Sequence, residues 1–572
     1  MKKQRLIHLY TEEGKALPET PWNVYPRPQL RRDSFFSLNG KWTVSRSGGE
    51  NEDITVPFAP ESLLSGICDS SEKNTRLVYG RSFSLPKDFL NDRVILHFGA
   101  VDQIASVSLN GTPIGEHRGG FLPFSFDVTD HLKDENELTV AVTDTLTKSG
   151  LPYGKQSAKR GGMWYTPISG IWQSVWLESV PEGYVKSLRI ETDTEKAVIY
   201  AEGVENGEIT VKTPSGEIKV PLTNGKATVK PESPCLWSPE APYLYELTLT
   251  AGADTVSSYF ALRTLSVSEF NGIPRLCLNG QPYFFHALLD QGYFSDGIYT
   301  PASPECYEKD ILTAKSLGFN TLRKHIKIEP ELFYYYCDKH GMAVFQDMVN
   351  NGGYSYLRDT VLPTVFPSYR YRSDKKLHRD ATVQKEFENA MTETVRHLYN
   401  HPCLCYWTVF NEGWGQFDSE RMYSVISKLD TSRFIDTASG WFSCATSDVI
   451  SPHVYFRPVR IKTGERPTVL SEFGGYAYKP EGHAFNLDNE YGYKSFKTRE
   501  SFEDALIGLY ESEIIPAVKN GLCGSVYTQL SDVEDETNGL ISYDRKVLKV
   551  TPERMKKIAE KLNSELLKSC KE

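Results

Sequence analysis

The chain has 572 residues, 40% hydrophobic and 24% charged, too long for one core and suited to roughly two to four domains of an ordinary folded protein. A formal net charge of −10 argues against nucleic acid or an anionic membrane as the main partner. No segment approaches the ~18 continuous apolar residues of a membrane span. The start, MKKQRLIHLYTEEG, has basic residues but no apolar core, so no signal peptide is read and a cytoplasmic setting is expected. The 10 cysteines are scattered, and Cys403, Cys405 and Cys523 fall inside apolar runs. Their spacing fits neither a zinc site nor a disulfide framework, and they read as buried thiols. Aromatics make up 12%, which suits pleated β faces as well as platforms that stack on sugars.

Residues 1 to 180 read as short strands broken by turn signals, an all-β sandwich. Asn39-Gly40 and Asn110-Gly111 carry hairpin chemistry, and residues 119–128 (GGFLPFSFDV) alternate like a strand. Near the end lies a Gly-rich stretch with Arg160 and Trp164 ahead of the strand at 174–178. Two readings of it stay open: a loop reaching into a neighbouring domain's pocket, or the aromatic edge of the sandwich. Residues 181 to 266 have shorter, more polar strands with turns at Pro214–Gly216 and Asn224-Gly225, as in a small immunoglobulin-like sandwich that spaces its neighbours.

From 267 to 572 apolar runs alternate with amphipathic stretches, which calls for a parallel sheet with crossover helices. The runs are Pro282–Leu289, Thr321–His325, Ala343–Met348, Cys403–Glu412, Phe434–Ser439, Val449–Tyr455, Thr468–Glu472 and Gly524–Leu530. Helices are expected at Cys306–Leu317, Pro330–His340, Val383–Tyr399, Phe502–Val518 and Pro552–Leu567. The rhythm predicts a (β/α)8 TIM barrel, whose strand ends converge on one mouth. Those ends are Asp290, His325, Asp347, Asn411 with Glu412, Trp441, Tyr455, Glu472 and Gln529, a set rich in groups that hydrogen-bond hydroxyls and in aromatic faces. Taken singly, His325 reads equally as a structural histidine and Asp347 as a helix cap. The two glutamates stand apart. A charge ending a buried strand is costly without a task, and paired carboxylates are the apparatus of glycoside hydrolysis.

These motifs resemble glycoside hydrolase family 2, the group of β-galactosidases, β-glucuronidases and β-mannosidases. The resemblance runs through Pro26–Pro28, Leu38–Trp42, Gly119–Phe124, Ser169–Trp172, Phe260–Thr264, Asn320–His325, Asn411-Glu412, Ser471–Gly474 and Asn538–Arg545. It implies an N-terminal jelly-roll sandwich, an immunoglobulin-like domain and a catalytic barrel, in that order. It further implies a retaining exo-glycosidase with Glu412 as acid/base and Glu472 as nucleophile. By the same resemblance Asn411 addresses the sugar 2-hydroxyl, Tyr455 orients the nucleophile, and His325 and Trp441 belong to the sugar wall. No redox cofactor is required and no metal-ligand spacing appears; a structural cation of the kind some members bind stays open.

The glucuronidase branch carries an Asn-x-Lys motif where this chain has Glu536 and Asn538, and a glutamate there repels a uronate. Glucuronidase activity is therefore disfavoured; by the resemblance, a β-galactosidase-type activity, common in the family, is the first expectation, with a β-mannoside or pentopyranoside as the alternative. The reading of another class is a carbohydrate-binding protein that has lost catalysis. An oligosaccharide or glycoside is the expected partner, and homo-oligomers are common among such relatives.

Overall fold

In a computed structural model, residues 4–69, 76–366, 368–369, 372–375, 377–443 and 446–571 are described. The N-terminal sandwich packs a six-stranded sheet on a four-stranded one. The larger runs in the order Glu52–Val56, Gly40–Arg46, Arg76–Phe83, Asn136–Thr143, Ile104–Leu109 and Thr112–Arg118. Alternating side chains such as Trp42, Tyr79, Val107 and Val140 point between the sheets and are fully buried there. At the expected hairpin, Asn110 and Gly111 have φ of +55° and +80°, the primed two-residue turn that matches strand twist. The second sandwich pairs sheets of three and four strands around Ile199, Val211, Leu249 and Val256.

The eight expected apolar runs form one parallel sheet. Its order is Phe434–Asp436, Leu404–Thr408, Ala343–Asp347, Thr321–Lys324, Phe285–Asp290, Leu522–Thr528, Thr468–Gly474 and His453–Val454. The ends of this order meet through the Gly440 amide on the Ser451 carbonyl (2.9 Å) and the Ser451 hydroxyl on Asp436 (2.8 Å), closing the barrel. Phe285, Phe345, Tyr406 and Phe434 plug its lower end, with Phe345 stacked on Tyr406 at 4.3 Å. Polar chemistry is thereby confined to the upper end, where the strands terminate.

Four features differ from expectation. A hairpin of Leu265–Phe270 and Ile273–Leu278 precedes the barrel and seals its base, because Leu276 packs against Phe285. The region read as one helix, Phe502–Val518, is broken by a widened turn at Tyr510–Ile514, just ahead of Pro516, which has no N–H to offer the preceding turn. Residues 4 to 22 cover the barrel, and Tyr25 and Arg27 beyond them tie the chain to Glu178 of the first sandwich. Leu9 and Trp22 are buried in the barrel's core, and the Trp22 indole donates to the Pro301 carbonyl (2.8 Å). The helix Ser419–Leu429, between the strands Leu404–Thr408 and Phe434–Asp436, was not anticipated.

Candidate active site

Glu472 sits within the strand Thr468–Gly474, side chain 7% exposed, and such a charge needs partners. Arg323 donates to its Oε1 (3.0 Å) and the Tyr455 hydroxyl to its Oε2 (2.5 Å). Burial opposes ionisation, but the electrostatic pull of His453 and Arg323 and the Tyr455 hydrogen bond more than offset it, and the Glu472 carboxyl lies well below the ordinary carboxylate value. Tyr455 is in turn held flat against Tyr493, ring centroids 3.7 Å apart.

Glu412 lies just past the strand Leu404–Thr408 and its side chain is 26% exposed. Its φ of +51° falls in the left-handed region, a conformation that tertiary structure must enforce. The Glu412 amide is pinned to the Ser439 carbonyl (2.9 Å). Gly413 follows with φ +74°, and any Cβ there would meet the Phe442 ring at 2.4 Å, so only glycine permits the turn that presents Glu412.

The two carboxylates face each other across the mouth. Donor atoms of Glu412, His453 and Glu472 all lie within 4.8 Å of one another. His453 stands between them, its Nδ1 2.8 Å from Glu412 and 3.5 Å from Glu472. Among the described residues this is the cluster with the donors to hold a metal ion. Its atoms are, however, taken up by one another and by Arg323 and Tyr455, which suits an acid–base site.

Arg323 organises the floor. It donates to Asp347 Oδ1 (3.0 Å), the Ser471 carbonyl (2.9 Å) and Asn411 Oδ1 (2.9 Å) besides Glu472. Accepting through Oδ1 leaves the Asn411 amide N–H2 as the group available to a sugar hydroxyl. Burial disfavours the charge on Asp347, yet Arg323 and His325 hold its carboxyl below its ordinary value. His325 Nδ1 meets Asp347 at 2.6 Å, and burial lowers the histidine's proton affinity.

Of the residues expected at the mouth, Glu412, Glu472, Asn411, Tyr455, His325, Asp347 and Trp441 come together, Trp441 with its ring 5.8 Å from that of His453. The loop from the first sandwich does reach the barrel. Trp164 packs edge-on to Trp414 (4.7 Å) and Tyr354 (4.9 Å), next in space to Glu412.

Three others sit elsewhere. Asp290 pairs with Lys324 (2.5 Å) outside the barrel wall, because the two are register partners on adjacent strands. Arg160 is occupied by Glu534 (3.4 Å) and Asp535 (3.1 Å) and lies over Phe485, so it anchors the loop instead of meeting substrate. Gln529 donates to Glu536 (3.0 Å) and Asn538 (2.8 Å) and supports the pocket through them. Glu536, which also accepts from the Tyr165 hydroxyl, is buried within electrostatic reach of Glu472.

Arg323 and His453 were missed as site residues. The signal was the two-residue alternation of a strand: Arg323 shares a face with His325, and His453 with Tyr455.

Three family models match in the same order. Residues 67–164 match the glycosyl hydrolase 2 galactose-binding domain-like model, 183–263 the glycosyl hydrolases family 2 model, and 301–545 the family 2 TIM barrel domain. The chain belongs to glycosyl hydrolases family 2, a family of hydrolases.

Among curated relatives, a β-galactosidase of Thermoanaerobacter pseudethanolicus is 26% identical over 423 residues, 69% of this chain and 53% of that protein. Human β-glucuronidase is 27% identical over 431 residues, 66% of this chain and 61% of that protein. The chain thus spans less than two thirds of the length of these relatives. Among solved structures, an uncultured Clostridium sp. β-glucuronidase aligns with a TM-score of 0.72 at 18% identity, covering 95% of this chain and 99% of that one. A β-galacturonidase from Eisenbergiella tayi bound to galacturonate aligns at 0.66 and 19%, covering 95% and 99%. These share the fold. No helix among the described residues is long and apolar enough to cross a membrane.

Proposed function

We propose that the protein is a retaining, exo-acting β-glycosidase that removes terminal non-reducing sugars, with a neutral glycone of the β-galactoside type. The observation that carries the reading is the separation of the acids. Carboxylate atoms within 4.8 Å of one another match a retaining pair, whose carboxyl groups stand about 5–5.5 Å apart, and leave no room for the water an inverting enzyme needs. Glu472, buried, ionised and fixed by Arg323 and Tyr455, attacks the anomeric carbon. Glu412, more exposed and facing the leaving group, protonates the departing oxygen. It then takes a proton from the water that hydrolyses the glycosyl-enzyme. The Asn411 amide addresses the 2-hydroxyl, a contact that strengthens as the oxocarbenium-like state forms.

The neutral glycone is supported by Glu536, a buried acid that stands near Glu472, is held by Tyr165 and Gln529, and offers a uronate no cation; burial raises its carboxyl above the ordinary value. One observation favours a uronide instead: Lys155, on the sandwich loop, acts electrostatically on both His325 and Glu536, and β-glucuronidases and a β-galacturonidase are among the relatives. A panel of 4-nitrophenyl β-galactoside, β-mannoside, α-L-arabinopyranoside, β-glucuronide and β-galacturonide separates the two. Turnover of neutral sugars supports the first reading, and turnover confined to uronides supports the second. Sugar binding by calorimetry without turnover of any panel member would identify a binding protein.

A further inference from the structure

The hydrogen bonds behind His453 determine where its protons lie. The Ser471 hydroxyl donates to the Ser451 carbonyl (3.1 Å), so at its other contact it accepts from the Ser439 hydroxyl (2.9 Å). That spends the only proton Ser439 has. Ser439 therefore accepts from His453, whose Nε2, 2.9 Å away, must carry hydrogen. Gly440, with φ +83°, lies directly against this ring; a Cβ there would come within 2.8 Å of Nδ1. The imidazole is thus fixed in orientation and in which nitrogen is always protonated.

Its other nitrogen faces Glu412 Oε1 at 2.8 Å, a distance that needs one proton between them. Either a protonated Glu412 donates to neutral imidazole, or an imidazolium donates to carboxylate. Both arrangements hold the same number of protons, so a single proton is shared across this contact. We propose that His453 is a positioning residue that shares the acid/base proton with Glu412 and sets the pH range over which Glu412 can act as an acid. This rests on the glycosidase reading above.

The proton inventory closes over the cycle. In the free enzyme the Glu472 carboxylate, 3.5 Å from His453 Nδ1, favours keeping the proton on the pair. Glu412 delivers that proton to the leaving oxygen as the glycosidic bond breaks and Glu472 bonds to the anomeric carbon. With Glu472 held as an uncharged ester, Glu412 is left as a carboxylate facing neutral imidazole, ready to accept a proton. Attack by water returns one proton to Glu412, and Glu472 leaves as carboxylate. Among the described residues, the other ionisable groups around the pair are Arg323 and His325 behind Glu472 and the phenols of Tyr354, Tyr455, Tyr491 and Tyr493. The phenols are held above their ordinary range by burial and stay neutral, and Arg323 stays charged.

The test is the pH dependence of kcat/KM, which reports steps up to glycosyl-enzyme formation, for the wild type and for His453→Gln. Two glycosides of a sugar the wild type accepts are compared. One is a methylumbelliferyl glycoside, whose departure needs protonation, and the other a 2,4-dinitrophenyl glycoside, whose departure does not. The expected result is a basic limb moved to lower pH by about 1 unit. At neutral pH the loss should be about 100-fold with methylumbelliferyl and under about 10-fold with dinitrophenyl. Ser439→Ala, which removes the partner of Nε2 and keeps the imidazole, should move the limb in the same direction and serves if His453→Gln does not fold. An unmoved limb, or equal losses with both leaving groups, overturns the proposal. A wild type inactive on the whole panel overturns the glycosidase reading itself, and this inference with it.

Discussion

The strand Thr321–Lys324 carries a buried ionic cluster on each of its two faces, and they differ instructively. Outward, Lys324 bridges Asp290 (2.5 Å) and Glu329 (2.8 Å), and Lys327 also reaches Glu329 (2.9 Å). Two cations meet two acids, and every partner is internal. Inward, Arg323 faces Asp347 and Glu472, with Glu412 across the cavity. There the acids outnumber the permanent cation, and Glu412 opens toward solvent. A closed ionic set specifies architecture, whereas a set in which acids outnumber the cation is prepared to act on something that enters.

The largest expected effect breaks the inward set at its centre. Glu472→Gln should lower kcat at least ~10⁴-fold on an accepted aryl glycoside while circular dichroism stays that of the wild type. Arg323→Met and Lys324→Met sharpen the contrast between faces. Each strands buried carboxylates without a cation and should cost about 3–5 kcal/mol in denaturant unfolding. Folded Lys324→Met should turn over substrate within about threefold of wild type, however, while folded Arg323→Met should not. Equal turnover losses in both would erase the distinction. Tyr455→Phe removes one hydrogen bond to a charged acceptor, about 1.5–3 kcal/mol, so kcat should fall roughly 10- to 100-fold.

The smallest effect is on stability against pH. The Asp290, Asp347 and Glu472 carboxyls lie below their ordinary values when folded. Their contribution is present above the unfolded values of about 3.9–4.3 and is lost as pH falls through the folded ones. Lys324 is opposed by burial, but Asp290 and Glu329 raise it above its ordinary value, so its contribution is present below the unfolded value and lost as pH rises through the folded one. Thermal midpoints across pH should show an alkaline decline that Lys324→Met removes and Tyr455→Phe does not.

The sequence disclosed the barrel because apolar runs between amphipathic stretches have few other solutions, and Glu412 and Glu472 stood out as charges ending such runs. It did not disclose which way an end residue points. Asp290 and Asp347 both close a strand, yet one pairs outward with Lys324 and the other inward with Arg323. Arg323 and His453 were hidden for the complementary reason: they lie inside buried strands, where a polar residue shows its purpose only once its partners from distant strands are known. The covering segment of residues 4 to 22 has no periodicity to read, since its place depends on single side chains such as Trp22 finding a cleft.

One wall of the pocket is borrowed. Trp164 arrives from the first sandwich, backed by the buried Tyr153 and Tyr165, and Tyr153 is tied to the barrel by its hydroxyl on the Gly352 carbonyl (2.7 Å). On the glycosidase reading, the reacting acids and part of the cleft wall come from separate modules. Exchanging residues 149–166 between relatives should then change which glycosides are turned over while the Glu412–Glu472 pair stays in place.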